Sequence, residues 1–211
     1  MGKQYIPGEY GQAEYTEKRS RFIGQVWRVA SEQEAQKYIA LTREKYYDAT
    51  HNVHAFVLKS GASRCSDDGE PKGTAGMPVL EVFRKSGVSD VCCVVTRYFG
   101  GILLGAGGLA RAYGKTAALA LEAAGIYLMK MWTAVRFRCG YALFELARQS
   151  FISLGGEVKE TSFGSDVIVT GLLPEGAENA LTEALLNLSS GRIEPEFIGT
   201  AELPVRAGGS D

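Results

Sequence analysis

Residues Asp90 to Thr116 read DVCCVVTRYFGGILLGAGGLARAYGKT. The first half is continuous in apolar and β-branched side chains, the pattern of a strand buried on both faces. Glycines then crowd the chain, and from Ala106 to Ala124 small and apolar residues run on as a helix that Gly125 closes at its C′ position. A buried strand, a glycine-rich turn and a helix in this order raise the question of a phosphate loop. The Walker pattern fails, because counting back from Gly114-Lys115-Thr116 puts Leu109 where the first glycine must stand. Gly105, Gly107 and Ala110 do satisfy G-x-G-x-x-A, yet Gly125 to Gly140 holds no Asp or Glu to bind a ribose, so no dinucleotide and no other cofactor is expected. Two readings of the glycines stay open. They permit positive φ and close packing, or their backbone N–H groups, at Gly100, Gly101, Gly107 and Gly108, bind an anion beside Arg97, Arg111, Lys115 and Lys72.

Working outward, Ser31 and Glu34 form a capping box that starts a helix through SEQEAQKYIALTREKYY. Before it, residues 14–29 suit one or two amphipathic strands behind a polar N-terminal arm. After it, His51 to Lys59 is strand-like and Ser60 to Gly76 reads as a polar loop. Pro78 and Gly87 bracket a further helix over Met77 to Lys85. From Met131 the pattern becomes MWTAVRFRC (strand), YALFELARQSFISL (helix), EVKETSF and DVIVTGLL (strands), Pro174 to Leu188 (helix) and Arg192 to Leu203 (strand). This β-α-β-β-α-β order is the ferredoxin-like arrangement. The chain is therefore α+β, with a first domain over 1–130, a second over 131–205 and a tail over 206–211.

The 211 residues carry 45% hydrophobic and 22% charged side chains, an ordinary globular composition. No apolar run is long enough for a membrane span and no secretory h-region opens the chain, so a cytoplasmic protein is expected. Cys65, Cys92, Cys93 and Cys139 show no C-x-x-C pairing and read as reduced core thiols. Residues 1–130 hold 17 Lys and Arg against 13 Asp and Glu, whereas 131–211 hold 6 against 11. A polyanion such as RNA or a ribosomal surface is expected to meet the first half.

A catalytic reading centres on SDDGEPKGT, where Asp67, Asp68, Glu70 and Thr74, with His51 upstream, form a set of cleft polar residues. His51 and His54, three apart on a strand, face opposite sides and make poor joint ligands, so no metal is expected. The plainer reading of Asp-Asp-Gly-Glu-Pro is turn chemistry. A hydrolase of small molecules or phosphoesters using Asp67 to Glu70 stands as the alternative to a binding module, and whether the protein is an enzyme stays open.

Three blocks carry a resemblance. GMPVLEVFRKSGVSDVCCVVTRYFGGILLG, with SDDGEPKGTAGMP and ATHNVHAF before it, resembles the IMPACT/YigZ family in its bacterial two-domain form. The resemblance implies a first domain like the second domain of ribosomal protein S-five and RNase PH, and a second like the last domain of elongation factor G. Eukaryotic members act as translational regulators through a protein partner, a role that needs an additional N-terminal interaction domain for which the residues before Tyr15 are too few. The resemblance implies translation-associated regulation, with RNA, the ribosome or a protein as partner.

Overall fold

The computed structural model describes residues 3–207. The described residues divide into two compact units, 3–128 with 205–207, and 129–204. In the first, β2 (Tyr10–Glu17), β3 (Ser20–Arg28), β4 (His51–Val57), β5 (Ser63–Ser66) and β6 (Val91–Tyr98) form an antiparallel sheet in the order β2-β3-β6-β4-β5. The strand at its centre is the apolar run of the opening stretch. Val91, Cys93 and Val95 point to one face, where they meet Val79 and Phe83 of α2 (Gly76–Ser86) and Leu109, Tyr113 and Ala117 of α3 (Gly105–Ala124). Cys92 and Val94 point to the other, against Ala35 and Ile39 of α1 (Glu32–Lys45). Alternation on a strand covered on both sides explains why its sequence shows no polar period. Ser31 Oγ accepts the Glu34 N–H at 3.2 Å and Glu34 Oε2 accepts the Ala30 N–H at 2.6 Å, capping α1.

At two glycines of β2 and β3 the backbone of α3 comes directly against the sheet. A Cβ on Gly11 would stand 2.3 Å from the Ala124 nitrogen, and one on Gly24 would stand 2.8 Å from the Thr116 carbonyl oxygen. Only glycine admits such an approach of helix backbone to sheet. The turn between these strands is a two-residue hairpin, Lys18-Arg19, both at positive φ (44° and 68°). That geometry normally selects Asn and Gly.

In the second unit, β7 (Ile126–Cys139), β8 (Glu157–Phe163), β9 (Val167–Pro174) and β10 (Glu196–Arg206) alternate with α4 (Tyr141–Ser153) and α5 (Glu178–Ser189). β7, β9 and β8 neighbour one another in that order, and β10 also pairs with β7. Val167, Val169 and Leu173 of β9 bury one face against Phe151, Leu181 and Leu185, while Ile168 and Thr170 between them stay partly open. One covered face gives the strict period of two.

Several expectations need correction. The polar arm contains β1 (Tyr5–Pro7), which pairs with Ile126 to Leu128 and buries Ile6, and β2 starts at Tyr10. The loop over 60–76 contains the edge strand β5, and Cys65 on it is only partly buried, unlike the other three cysteines. α5 begins at Glu178, because Glu175 to Ala177 form a turn in which the Ala177 N–H donates to the Pro174 carbonyl. β10 begins at Glu196, since Ser189 Oγ accepts the N–H groups of Arg192 and Ile193 and Ile193 is drawn into the core. Within the tail, Arg206 still belongs to β10 and the Ala207 N–H donates to the Ile126 carbonyl; residues 208–211 lie outside the described ones. No helix among the described residues is long and apolar enough to cross a membrane.

Candidate functional site

The strand-to-turn junction at the end of β6 positions Arg97 inside the first unit. Its side chain is 5% exposed, and Nη1 donates to Glu70 Oε1 at 2.6 Å. Nη2 donates to Ser20 Oγ at 3.3 Å, and the guanidinium carbon lies 5.5 and 5.4 Å from the ring centres of Phe22 and Phe99. Glu70 Oε1 also accepts the Tyr113 hydroxyl at 2.7 Å. Burial, and then the bond to Glu70, pushes the Tyr113 phenol well above its usual range, which keeps it a donor. A buried carboxylate is thus held by a buried cation and a buried phenol, an arrangement that is costly to break by removing one partner.

His51, at the start of β4, completes this centre. Its Nδ1 lies 2.8 Å from the Asp68 carbonyl oxygen and its Nε2 lies 3.8 Å from Glu70 Oε1. These groups open onto a pocket of about 410 Å³, walled by Pro71, Phe99, Leu103, Leu104 and Leu109 and by Gly105 and Ala106 of the first turn of α3. Phe99 is 46% and Leu103 is 82% exposed. The turn that carries them is fixed by Gly100, whose N–H donates to Ser20 Oγ at 3.2 Å. A Cβ on Gly100 would stand 2.1 Å from the carbonyl carbon of Arg19, so only glycine fits there.

The other acids of the loop have structural tasks. Asp67 Oδ1 accepts the N–H groups of Ala75 and Gly76 at the start of α2, and Oδ2 accepts that of Gly73. Burial alone would raise its carboxyl, but those three N–H groups outweigh it and hold the pKa below the ordinary value. Asp68, at positive φ, accepts the Asn52 N–H and the Arg43 guanidinium. Thr74 Oγ1 donates to the Pro71 carbonyl. The loop is built as turn chemistry, with Glu70 alone of its acids lining the pocket. Among the described residues, no group of three or more His, Cys, Asp and Glu is placed to hold a metal ion.

The expected basic residues separate into different places. Arg97 is buried, and Lys72 is exposed but lines neither the pocket nor the groove beside it. Arg111 and Lys115, both exposed on α3, line a groove of about 210 Å³ together with Gly108, Leu104, Tyr15, Lys18 and one acid, Glu17, which accepts the Tyr15 hydroxyl. The Lys115 ammonium lies 6.0 Å from the Tyr15 ring centre. α3 carries no acid in its first turn and no side-chain cap, so its N-terminal dipole is uncompensated beside these cations. Gly107 lies next to the Arg111 guanidinium, whereas Gly100 and Gly101 belong to the pocket's loop.

Tyr113, Ser20 and Lys18 were not singled out by sequence. Tyr113 did carry a signal: a tyrosine on the apolar face set by Leu109, Thr116 and Ala117 must find a partner for its hydroxyl. Lys18 lies in, and Ser20 directly follows, a hairpin turn whose residues gave no turn signature.

Comparison with known proteins gives consistent matches. The Impact N-terminal domain model matches residues 18–121, and a domain of unknown function (DUF1949) matches 137–192. The chain is 38% identical over 191 residues to IMPACT family member YvyE of Bacillus subtilis, covering 87% of this chain and 86% of that protein. It is 31% identical to IMPACT family member YigZ of Escherichia coli, over 84% of this chain and 89% of that one. A crystal structure described as that of a hypothetical protein, 29% identical, covers 94% of this chain and 98% of its own at a TM-score of 0.59.

Proposed function

The chain belongs to the IMPACT family, and on that premise we propose that its first unit is a polyanion-binding module that engages RNA or ribosomal surface in the control of translation. The observation that carries this reading is the groove of Lys18, Arg111 and Lys115 against the uncapped start of α3. Three exposed cations against one acid, two on α3 and one on the neighbouring hairpin, next to an aromatic ring and a helix N-terminus, suit a phosphate backbone. The translational setting rests on the family resemblance, in which eukaryotic members are translational regulators, and a cytoplasmic location accords with such partners. The β-α-β-β-α-β order, with β7 paired to both β9 and β10, supports the ferredoxin-like reading of the second unit. Likeness of the first unit to the second domain of ribosomal protein S-five stays part of the proposal.

The test is titration of the full chain with single-stranded RNA and with ribosomes at several salt concentrations. Binding that weakens with salt is expected, and the triple variant Lys18→Glu, Arg111→Glu, Lys115→Glu should lower the slope of log K against log salt by about 2. Binding whose salt slope is the same in the variant sinks the groove as the contact surface.

A further inference from the structure

Two acceptors in the pocket have no donor between them. Both hydrogen bonds to the Glu70 carboxylate fall on Oε1, which leaves about half of its roughly four lone-pair positions unused. A carbonyl oxygen only accepts, so the 2.8 Å contact with Asp68 places a proton of His51 on Nδ1, and in the neutral tautomer that carries this proton Nε2 keeps a lone pair. Nε2 makes no hydrogen bond among the described residues and stands 3.8 Å from Glu70 Oε1. Because Oε1 already accepts two donors, the acceptors left to a ligand are Glu70 Oε2 and His51 Nε2, on two side chains that line the same pocket.

The rest of the pocket selects for a flat apolar body. Phe99 presents a half-exposed ring backed by the Arg97 guanidinium, and Leu103, Leu104 and Leu109 form the remaining wall. The volume of about 410 Å³ is that of a small-molecule site. Leu104 is a wall of both the pocket and the cationic groove, so a strand whose phosphates pass Lys18, Arg111 and Lys115 runs beside the pocket mouth.

We propose that the pocket receives one unstacked nucleobase bearing an exocyclic amino group, from a single strand held by the groove; this rests on the polyanion reading of the first unit. Adenine, cytosine and guanine bring N–H2 donors to the Glu70 and His51 acceptors, with the ring against Phe99. Uracil offers one ring N–H flanked by two carbonyl oxygens, so it meets one acceptor and turns a carbonyl oxygen toward the other.

The experiment uses the full chain and the four 5′-mononucleotides AMP, CMP, GMP and UMP, followed by NMR at the His51 and Phe99 rings. Saturable shifts are expected for the three amino bases, with UMP at least about tenfold weaker, the cost of an unmet buried acceptor. Equal binding of UMP, or no shift with any nucleotide, overturns the proposal. Glu70→Gln disturbs the bond to Arg97 and is liable to unfold, so His51→Phe is the informative variant. It keeps a ring but removes the acceptor, and should lower affinity for the amino bases while leaving UMP unchanged; unaltered base preference in it overturns the assignment. Salt-dependent RNA binding that does not distinguish poly(U) from poly(A) removes the pocket and leaves the groove standing. Selective mononucleotide shifts without RNA binding support the pocket and remove the groove.

Discussion

Arg97 and Arg111 stand fourteen positions apart in one continuous stretch, and the structure gives them opposite surroundings. Arg97 is enclosed by Glu70, Ser20, Phe22 and Phe99, so its charge is spent within the fold. Arg111 is exposed with Lys115 and Lys18 around an open groove, where its charge is available to an anion. Residue type alone does not separate an arginine that organises a core from one that meets a ligand. What separates them is the element each rides on: a strand covered on both faces in one case, the outer side of a helix in the other.

The largest effect that would break this contrast is expected at Arg97. Arg97→Ala leaves Glu70 buried without its cation and should cost about 3–5 kcal/mol in denaturant unfolding. A loss below about 1 kcal/mol, in the range of an exposed pair, would mean that Arg97 belongs with the surface cations after all. Next comes Gly100→Ala, whose methyl group meets the Arg19 backbone. Forcing the β6 to α3 turn away from the hairpin should cost about 1–3 kcal/mol, and thermal unfolding measures it.

A pH effect sharpens the buried side. Burial, then the nearby Arg43 charge, lowers the His54 pKa below its ordinary 6.5, and its Nδ1 is buried without a partner. The unfolded chain therefore takes up this proton first. Stability from this group is complete above 6.5 and declines as pH falls from there through the lower folded value. His54→Leu should remove that decline from the pH profile of unfolding, and an unchanged profile would assign it to another group. The smallest stability change is expected for the groove: reversing Lys18, Arg111 and Lys115 together should move unfolding by no more than about 0.5 kcal/mol per site. A larger loss would show the groove to be structural.

The same contrast explains what sequence revealed. The central strand, the helices bracketed by Ser31, Pro78, Gly87 and Gly125, and the β-α-β-β-α-β order of the second unit are local patterns, and they were legible. β5 was not, because Ser63 to Ser66 is a short polar edge strand whose pairing with β4 is a tertiary fact. Nor was the hairpin at Lys18-Arg19, since neither residue is one that favours positive φ. For the site, Glu70, His51 and Arg97 were named from the sequence as candidates. Their meeting depends on contacts spanning 27 positions between Arg97 and Glu70 and 43 between Tyr113 and Glu70, which no motif encodes. Asp67 and Asp68 resemble Glu70 in type and position, and only the direction of each carboxylate tells them apart.

The bare contact of α3 with β2 and β3 has a thermodynamic consequence for recognition. Gly11 and Gly24 admit the backbone of the C-terminal half of α3 to the sheet, while Tyr113 packs edge-on against Phe22 nearer the helix start. α3 is thus anchored to the sheet by backbone at one end and by a buried ring nearer the other, the end that carries the groove and the pocket mouth. Little ordering entropy is then left to lose on association, so a few well-placed contacts suffice for binding where a looser helix would need many.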